Sequence, residues 1–198
     1  MAAEEPAAAA ALISALNLLP HIEGGYFVET DRDPISLPSP FEPDSADNNS
    51  KDDSKDDSNN TRNRSTLIYY LLTRRSPLGR FHRNKGRTIH LLHSGRARYV
   101  LVHPDGSVET FVVGHDVANG ERLQWIVEGG DYKASFLLPD DDTHDHCLIS
   151  EVVIPGFDYR DHNFLSSRQE LVDLAGEQFA KDYAWLLTKP ATAPDHPL

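Results

Sequence analysis

Between Ser65 and Ile154 the chain is cut into short apolar segments by turn residues, and that spacing constrains the fold more than any other feature. The segments are Ser65–Thr73 (STLIYYLLT), Arg87–Leu92, Arg96–Val102 (RARYVLV), Val108–Val113 (VETFVV), Arg122–Val127, Lys133–Leu138 and Cys147–Ile154. Each has the length and the β-branched and aromatic content of a strand. Between them stand His103-Pro104-Asp105-Gly106-Ser107, Asn119-Gly120 and Glu128-Gly129-Gly130-Asp131. Asp-Gly is a strong hairpin signal, because a tight turn needs positive φ. Regular strands joined by glycine-rich turns fold as a sandwich or barrel rather than a parallel sheet.

Helical spacing is confined to the two ends. Residues 7–19 (AAAAALISALNLL) carry Leu12, Leu16 and Leu19 on one stripe and are expected to stop at Pro20. Arg168–Ala175 and Glu177–Leu187 are amphipathic, through Leu171 and Leu174 and through Phe179, Tyr183 and Leu186. Both are expected to pack outside the strands. Gly24-Gly25 before Tyr26 implies a sharp turn or a close backbone approach on entry to an aromatic strand. The acids beside it, Glu23 and Glu29, are open to a functional or a solvated role.

One segment cannot contribute to a core. Residues 44–57 hold six aspartates and two lysines, a local charge of −4, and almost nothing apolar. Such a stretch buries too little surface to offset its ordering entropy, so 44–63 is expected to be a disordered acidic insertion. A flexible tail is expected from residue 189, and the whole of 1–198 is expected to be one domain. The net charge of −12 argues against nucleic acid and anionic membranes as partners. One cysteine, Cys147, excludes an internal disulfide. No apolar run has the length of a membrane span and the N-terminus is acidic, which makes a cytoplasmic protein the expectation.

The stretch Phe81-His82-Arg83-Asn84-Lys85-Gly86-Arg87-Thr88-Ile89-His90-Leu91-Leu92-His93-Ser94-Gly95 resembles the first motif of the cupin superfamily. His82 falls on its first histidine, Asn84 on the second, Thr88 on the glutamate and Gly95 on the glycine. In the place of the second motif stands Glu128-Gly129-Gly130-Asp131-Tyr132-Lys133, with Lys133 on the histidine. Amide and hydroxyl oxygens are poor ligands for a divalent ion and an ammonium repels one. The expectation is therefore no metal and no cofactor. Longer motifs, LLPHIEGGYFVET, FHRNKGRTIHLLHSG, YVLVHPDGSVETFVVG, GERLQWIVEGGDYKASFLL and ISEVVIPGFDY, are similar to a cupin branch of unknown function, nearest its fungal form. That resemblance implies a cupin-type antiparallel jelly-roll barrel with helices packed outside, and a homodimer. The superfamily's metal-free sugar-nucleotide epimerases supply the nearest mechanistic analogy.

Alternation along strands suggests a polar inward face made of Thr88 and His90, Gln124 and Ile126, and Lys133 and Ser135. The opposite parity, with Trp125 and Phe136, then packs against the other layers. His82, His90 and Tyr132 are candidate general acids or bases, and Lys133 a candidate electrophile. Arg83 and Arg87 can clamp an anion. Asn84, Thr88, Gln124, Ser135, Glu23 and Glu151 complete the candidate ligand-binding set. His162 and the remaining histidines, mostly in turns and acidic loops, attract less suspicion.

The reading is a metal-independent isomerase or epimerase acting on a small anionic or sugar-like molecule held in the barrel. Two alternatives stand beside it. One is a non-catalytic ligand-binding or sensing barrel. The other is a metal enzyme with an altered ligand set, such as His82 and His90 with Glu23 or Glu151.

Overall fold

The computed structural model describes residues 5–41, 60–138 and 145–188. Residues 42–59, most of the expected insertion, and the tail from 189 lie outside the described residues.

Two open antiparallel sheets face each other. The first has six strands in the order β1 (Leu19–Pro20), β2 (Tyr26–Arg32), β5 (Thr66–Thr73), β12 (His146–Ile154), β7 (Arg87–Gly95) and β10 (Gln124–Val127). The second has five, in the order β13 (His162–Phe164), β6 (Leu78–Asn84), β11 (Tyr132–Leu137), β8 (Ala97–Val102) and β9 (Val108–Val113). A separate ribbon pairs β3 (Ser36–Pro38) with β4 (Thr61–Asn63), so the end of the expected insertion is a strand.

The expected barrel is therefore corrected to a sandwich. Among the described residues neither sheet closes on itself. The edge strands β9 and β10 approach only through one isolated bridge, Val113 to Arg122. The chain turns between those strands through the short helical turn Val117–Asn119, which prevents a continuous ladder.

Four layers result. Between the sheets lie Tyr70, Leu72, Trp125, Cys147 and Ile149 from one and Tyr99, Leu101, Phe111 and Val113 from the other. The outer face of the first sheet buries Leu71 and Leu148 under α1 (Ala7–Leu16). The outer face of the second buries Phe81, Val100, Tyr132 and Ala134 under α2 (Arg168–Ala175) and α3 (Glu177–Tyr183). At about 25 cal/mol per Å² of apolar surface removed from water, such double-sided coverage is what holds short strands together. Helix α1 ends before the expected Pro20, because Asn17 takes the left-handed conformation (φ 55°) and caps it.

One inward face was misread from sequence. In β10 it is Trp125 and Val127 that are buried, while Gln124 and Ile126 are exposed. The register with β7 decides this: Trp125 lies opposite His90, and their rings stack at 4.9 Å. A large aromatic gains more from that position than an amide does.

Candidate metal centre

Three segments remote in sequence bring Glu23, His82 and His162 together. The Gly24-Gly25 turn delivers the first. A side chain on Gly24 would collide with the Leu78 carbonyl, and one on Gly25 would meet that of Leu71 at 2.6 Å. Both glycines have positive φ, 100° and 67°. The turn can thus press against β5 and β6 only because these two residues lack Cβ atoms. It is tied there by the Tyr70 hydroxyl, which donates to the Gly24 carbonyl at 2.8 Å, and by the Arg80 amide, which donates to the Glu23 carbonyl at 2.8 Å. Glu23 is left 7 % exposed.

His82 comes from β6. His162 opens β13, which pairs alongside β6 with His162 opposite Asn84 and Phe164 opposite His82. The two imidazoles stack at 5.3 Å. The residue before His162 is anchored: Arg62 of β4 grips Asp161 through Nε at 2.5 Å and Nη2 at 2.9 Å, with both side chains buried. The Lys85 amide also donates to the Asp161 carbonyl at 2.9 Å.

The candidate ligand atoms of Glu23, His82 and His162 all lie within 4.8 Å of one another. Their protonation is decided locally. His82 Nδ1 is 2.7 Å from the Arg80 carbonyl, an obligate acceptor, so the ring proton sits on Nδ1 and Nε2 carries a lone pair. Burial is the largest influence on this ring and, with nearby Lys133 and His162, outweighs the attraction of Glu23, lowering its pKa to about 4. The ring is neutral at pH 7. Yet Nε2 lies 3.2 Å from Glu23 Oε2 and is buried without a hydrogen-bond donor.

A cation between or beside them relieves two acceptors that face each other in a buried site. Burial raises the pKa of Glu23, but His82, His162 and His21 more than offset this and hold it well below the usual carboxylate value. His162 Nε2 stands 2.9 Å from Glu23 Oε1. Two imidazoles and one carboxylate, with further positions left open, form a donor set suited to Zn²⁺, Fe²⁺, Mn²⁺ or similar ions. The residues fit a metal ion.

A second buried cluster lies beside the first. Lys133 donates to Glu151 Oε2 at 2.7 Å and to His90 Nε2 at 2.9 Å. For Glu151, burial raises the pKa, but the charges of Lys133 and His90 prevail and it falls far below the usual range. His90 is lowered, first by burial and then by Lys133.

Glu23 and Glu151 both border a cavity of about 400 Å³. Its wall is largely apolar, with Phe27, Ile68, Val153 and Phe157 prominent. Asn84 also lines it, and its Oδ1 is buried without a partner.

The expected site residues thus separate. His82 and Glu23 share the metal cluster. His90, Lys133 and Glu151 share the ion-paired cluster, and Asn84 faces the cavity. Ser135 and Thr88 are buried among the inward residues. Tyr132 lies on the other face of its strand, bonded to Glu170 at 3.2 Å beneath the C-terminal helices. Arg83 is exposed over the Tyr132 ring at 4.8 Å. Arg87 is exposed near Glu128 at 3.4 Å, and Gln124 is exposed as well. These four do not meet the cluster. His162 was passed over, since a histidine after Phe157-Asp158-Tyr159-Arg160-Asp161 carries no signal of its own.

Comparison with known proteins agrees with this architecture. The family profile described as Cupin superfamily (DUF985) matches residues 10–165. The chain belongs to the cupin superfamily. An uncharacterized protein of Saccharomyces cerevisiae is 48 % identical over 183 residues, covering 92 % of this chain and 88 % of that one. A hypothetical protein from Leishmania major superposes with a TM-score of 0.73 at 26 % identity, covering 91 % of this chain and 98 % of that one. Protein SO0799 from Shewanella oneidensis superposes at 0.69 with 23 % identity, covering 96 % and 100 %, and shares the fold.

Two expectations are overturned for this cupin. The absence of a metal was inferred from Asn84, Thr88 and Lys133 at the usual ligand positions. The donor set instead combines His82 with Glu23 and His162 from outside those motifs. The metal-independent isomerase or epimerase falls with it. Among the described residues the ligand expected inside a barrel has no closed lumen to occupy, since the large cavity opens beside the candidate metal cluster of a sandwich. Among the described residues no helix is long and apolar enough to cross a membrane.

Proposed function

We propose that the protein is a divalent-metal-dependent cupin enzyme acting on a small, largely apolar molecule. The observation that carries this reading is the His82 Nε2 lone pair, buried, uncharged and aimed at the Glu23 carboxylate without a proton between them. A divalent ion bound there supplies Lewis acidity toward an oxygen of the substrate.

The remaining chemistry belongs to the chain. Glu23, His82 and His162 hold the ion. Phe27, Ile68, Val153 and Phe157 exclude water and grip the apolar body of the substrate. Asn84 Oδ1 accepts a hydrogen bond from a substrate donor. Lys133 does not repel the ion, because Glu151 neutralises it at 2.7 Å. With His90, that pair presents a fixed field toward the reacting end of the cavity.

The test is metal loading. Protein incubated with Zn²⁺ or Co²⁺ and then dialysed should retain about one ion per chain by elemental analysis. Glu23→Gln and His162→Ala should each weaken binding by about 10-fold or more. A native chain that retains no ion, or variants that bind as tightly as the native chain, would overturn the reading.

A further inference from the structure

A second, much smaller cavity of about 10 Å³ lies between the sheets. Its wall includes His82, Glu23, Tyr70, Tyr99, Lys133 and Ser135. Glu23 and Glu151 border both this cavity and the large one. A space of that size takes about one water-sized sphere, and only a polar wall makes occupation favourable.

The wall offers complementary groups. Lys133 has three N–H bonds; one goes to Glu151 and one to His90, which leaves one. The Tyr70 hydroxyl spends its proton on the Gly24 carbonyl, so its oxygen lone pairs remain. His82 Nε2 brings the metal cluster to the same wall.

Gly79 lets Ser135 and Tyr70, two residues of that wall, stand close against its backbone. A Cβ there would stand 2.5 Å from Ser135 Oγ and 2.9 Å from the Tyr70 hydroxyl. Gly79 is not among the glycines with positive φ, so its backbone does not need glycine. The close approach of those two side chains does, and a methyl there would push them into the chamber.

We propose that this chamber is a binding site for a single water-sized ligand, water or hydroxide in the working protein and fluoride as its mimic. The ligand accepts from the third Lys133 N–H and coordinates the metal through the same atom. The inference rests on the metal reading above. A bound ion would then be approached from two unlike cavities, one admitting a single small ligand and the other, of about 400 Å³, taking the organic substrate. Azide, a linear ion of three atoms, is too long for the chamber and can reach the ion only from the large cavity.

The experiment titrates Co²⁺-loaded protein with sodium fluoride at constant ionic strength, reading the visible spectrum, and repeats this with azide. Fluoride should give a saturable change in the native chain. Gly79→Ala should load Co²⁺ normally, keep its azide response and weaken fluoride binding by about tenfold or more. Should Gly79→Ala fail to fold, Ser135→Thr adds one methyl to the same wall and keeps the hydroxyl, and the same outcome is expected. Failure of the native chain to take up Co²⁺ sinks the metal reading and this inference together. Uptake without a fluoride response, or a fluoride response unchanged in the folded filled-chamber variant, overturns the chamber alone.

Discussion

Replacing Lys133 by methionine should cost more stability than replacing Lys133 and Glu151 together. The pair is 2.7 Å apart with side chains only 5 % and 9 % exposed. At an effective dielectric of about 20, a 2.7 Å separation is worth about 6 kcal/mol of attraction, which offsets a desolvation cost of several kcal/mol for each ion. Removing Lys133 alone leaves the Glu151 carboxylate buried without its cation and takes the donor from His90 Nε2. That change should destabilise by about 3–5 kcal/mol, much of a typical domain's margin. In Lys133→Met/Glu151→Leu no charge is left stranded, and at least half of the loss should return. Urea unfolding of the metal-free native, single and double variants, followed by tryptophan fluorescence and far-ultraviolet circular dichroism, measures the three midpoints. A double variant no more stable than Lys133→Met would refute the argument that a stranded carboxylate sets the cost. A single variant within about 1 kcal/mol of native would show that water reaches the pair.

Acid should weaken the metal-free fold from above pH 6 downward. His82 binds its proton at about 4 when folded against 6.5 as the reference value, so the unfolded chain takes up the proton first. The stability this ring contributes is complete above its unfolded pKa and is lost as pH falls through the interval. Between pH 7.5 and 5.0 the loss from His82 alone is about 2 kcal/mol, and His90, also lowered, adds in the same direction. Unfolding midpoints that do not fall over that range would contradict the neutral, buried assignment. Asp161→Asn should weaken metal binding by about tenfold through the loss of the Arg62 anchor next to His162, while isothermal titration of Arg62→Met/Asp161→Leu should show the same weakening in a folded protein. Native affinity in both would show that β13 places His162 without the anchor.

The elements were legible because their causes are local. Val108–Val113 and Arg168–Ala175 are found where alternation and helical spacing put them, since side-chain period and turn chemistry act over a few residues. The Gly24-Gly25 turn was also readable as a close approach, though not what it approaches. His82, Glu23, Lys133, His90 and Glu151 stood among the candidates the sequence offered, and the structure buries all five. What they form was not. The metal-poor reading followed from Asn84, Thr88 and Lys133 standing where the cupin motifs carry ligands.

Tertiary structure decided the rest. A ligand set is a matter of which side chains converge in space, and here the loop before β2, strand β6 and strand β13 supply one donor each. Only the pairing of β13 beside β6 brings His162 to His82. Only the register of β10 on β7 turns Trp125 inward against His90. Whether two facing sheets close into a barrel depends on hydrogen bonds between β9 and β10, and strand patterns carry no information about such edges. Burial then set the chemistry: the same lysine that would repel an ion in water is neutralised by Glu151, and the same histidine that would be partly protonated in water at pH 7 keeps its lone pair.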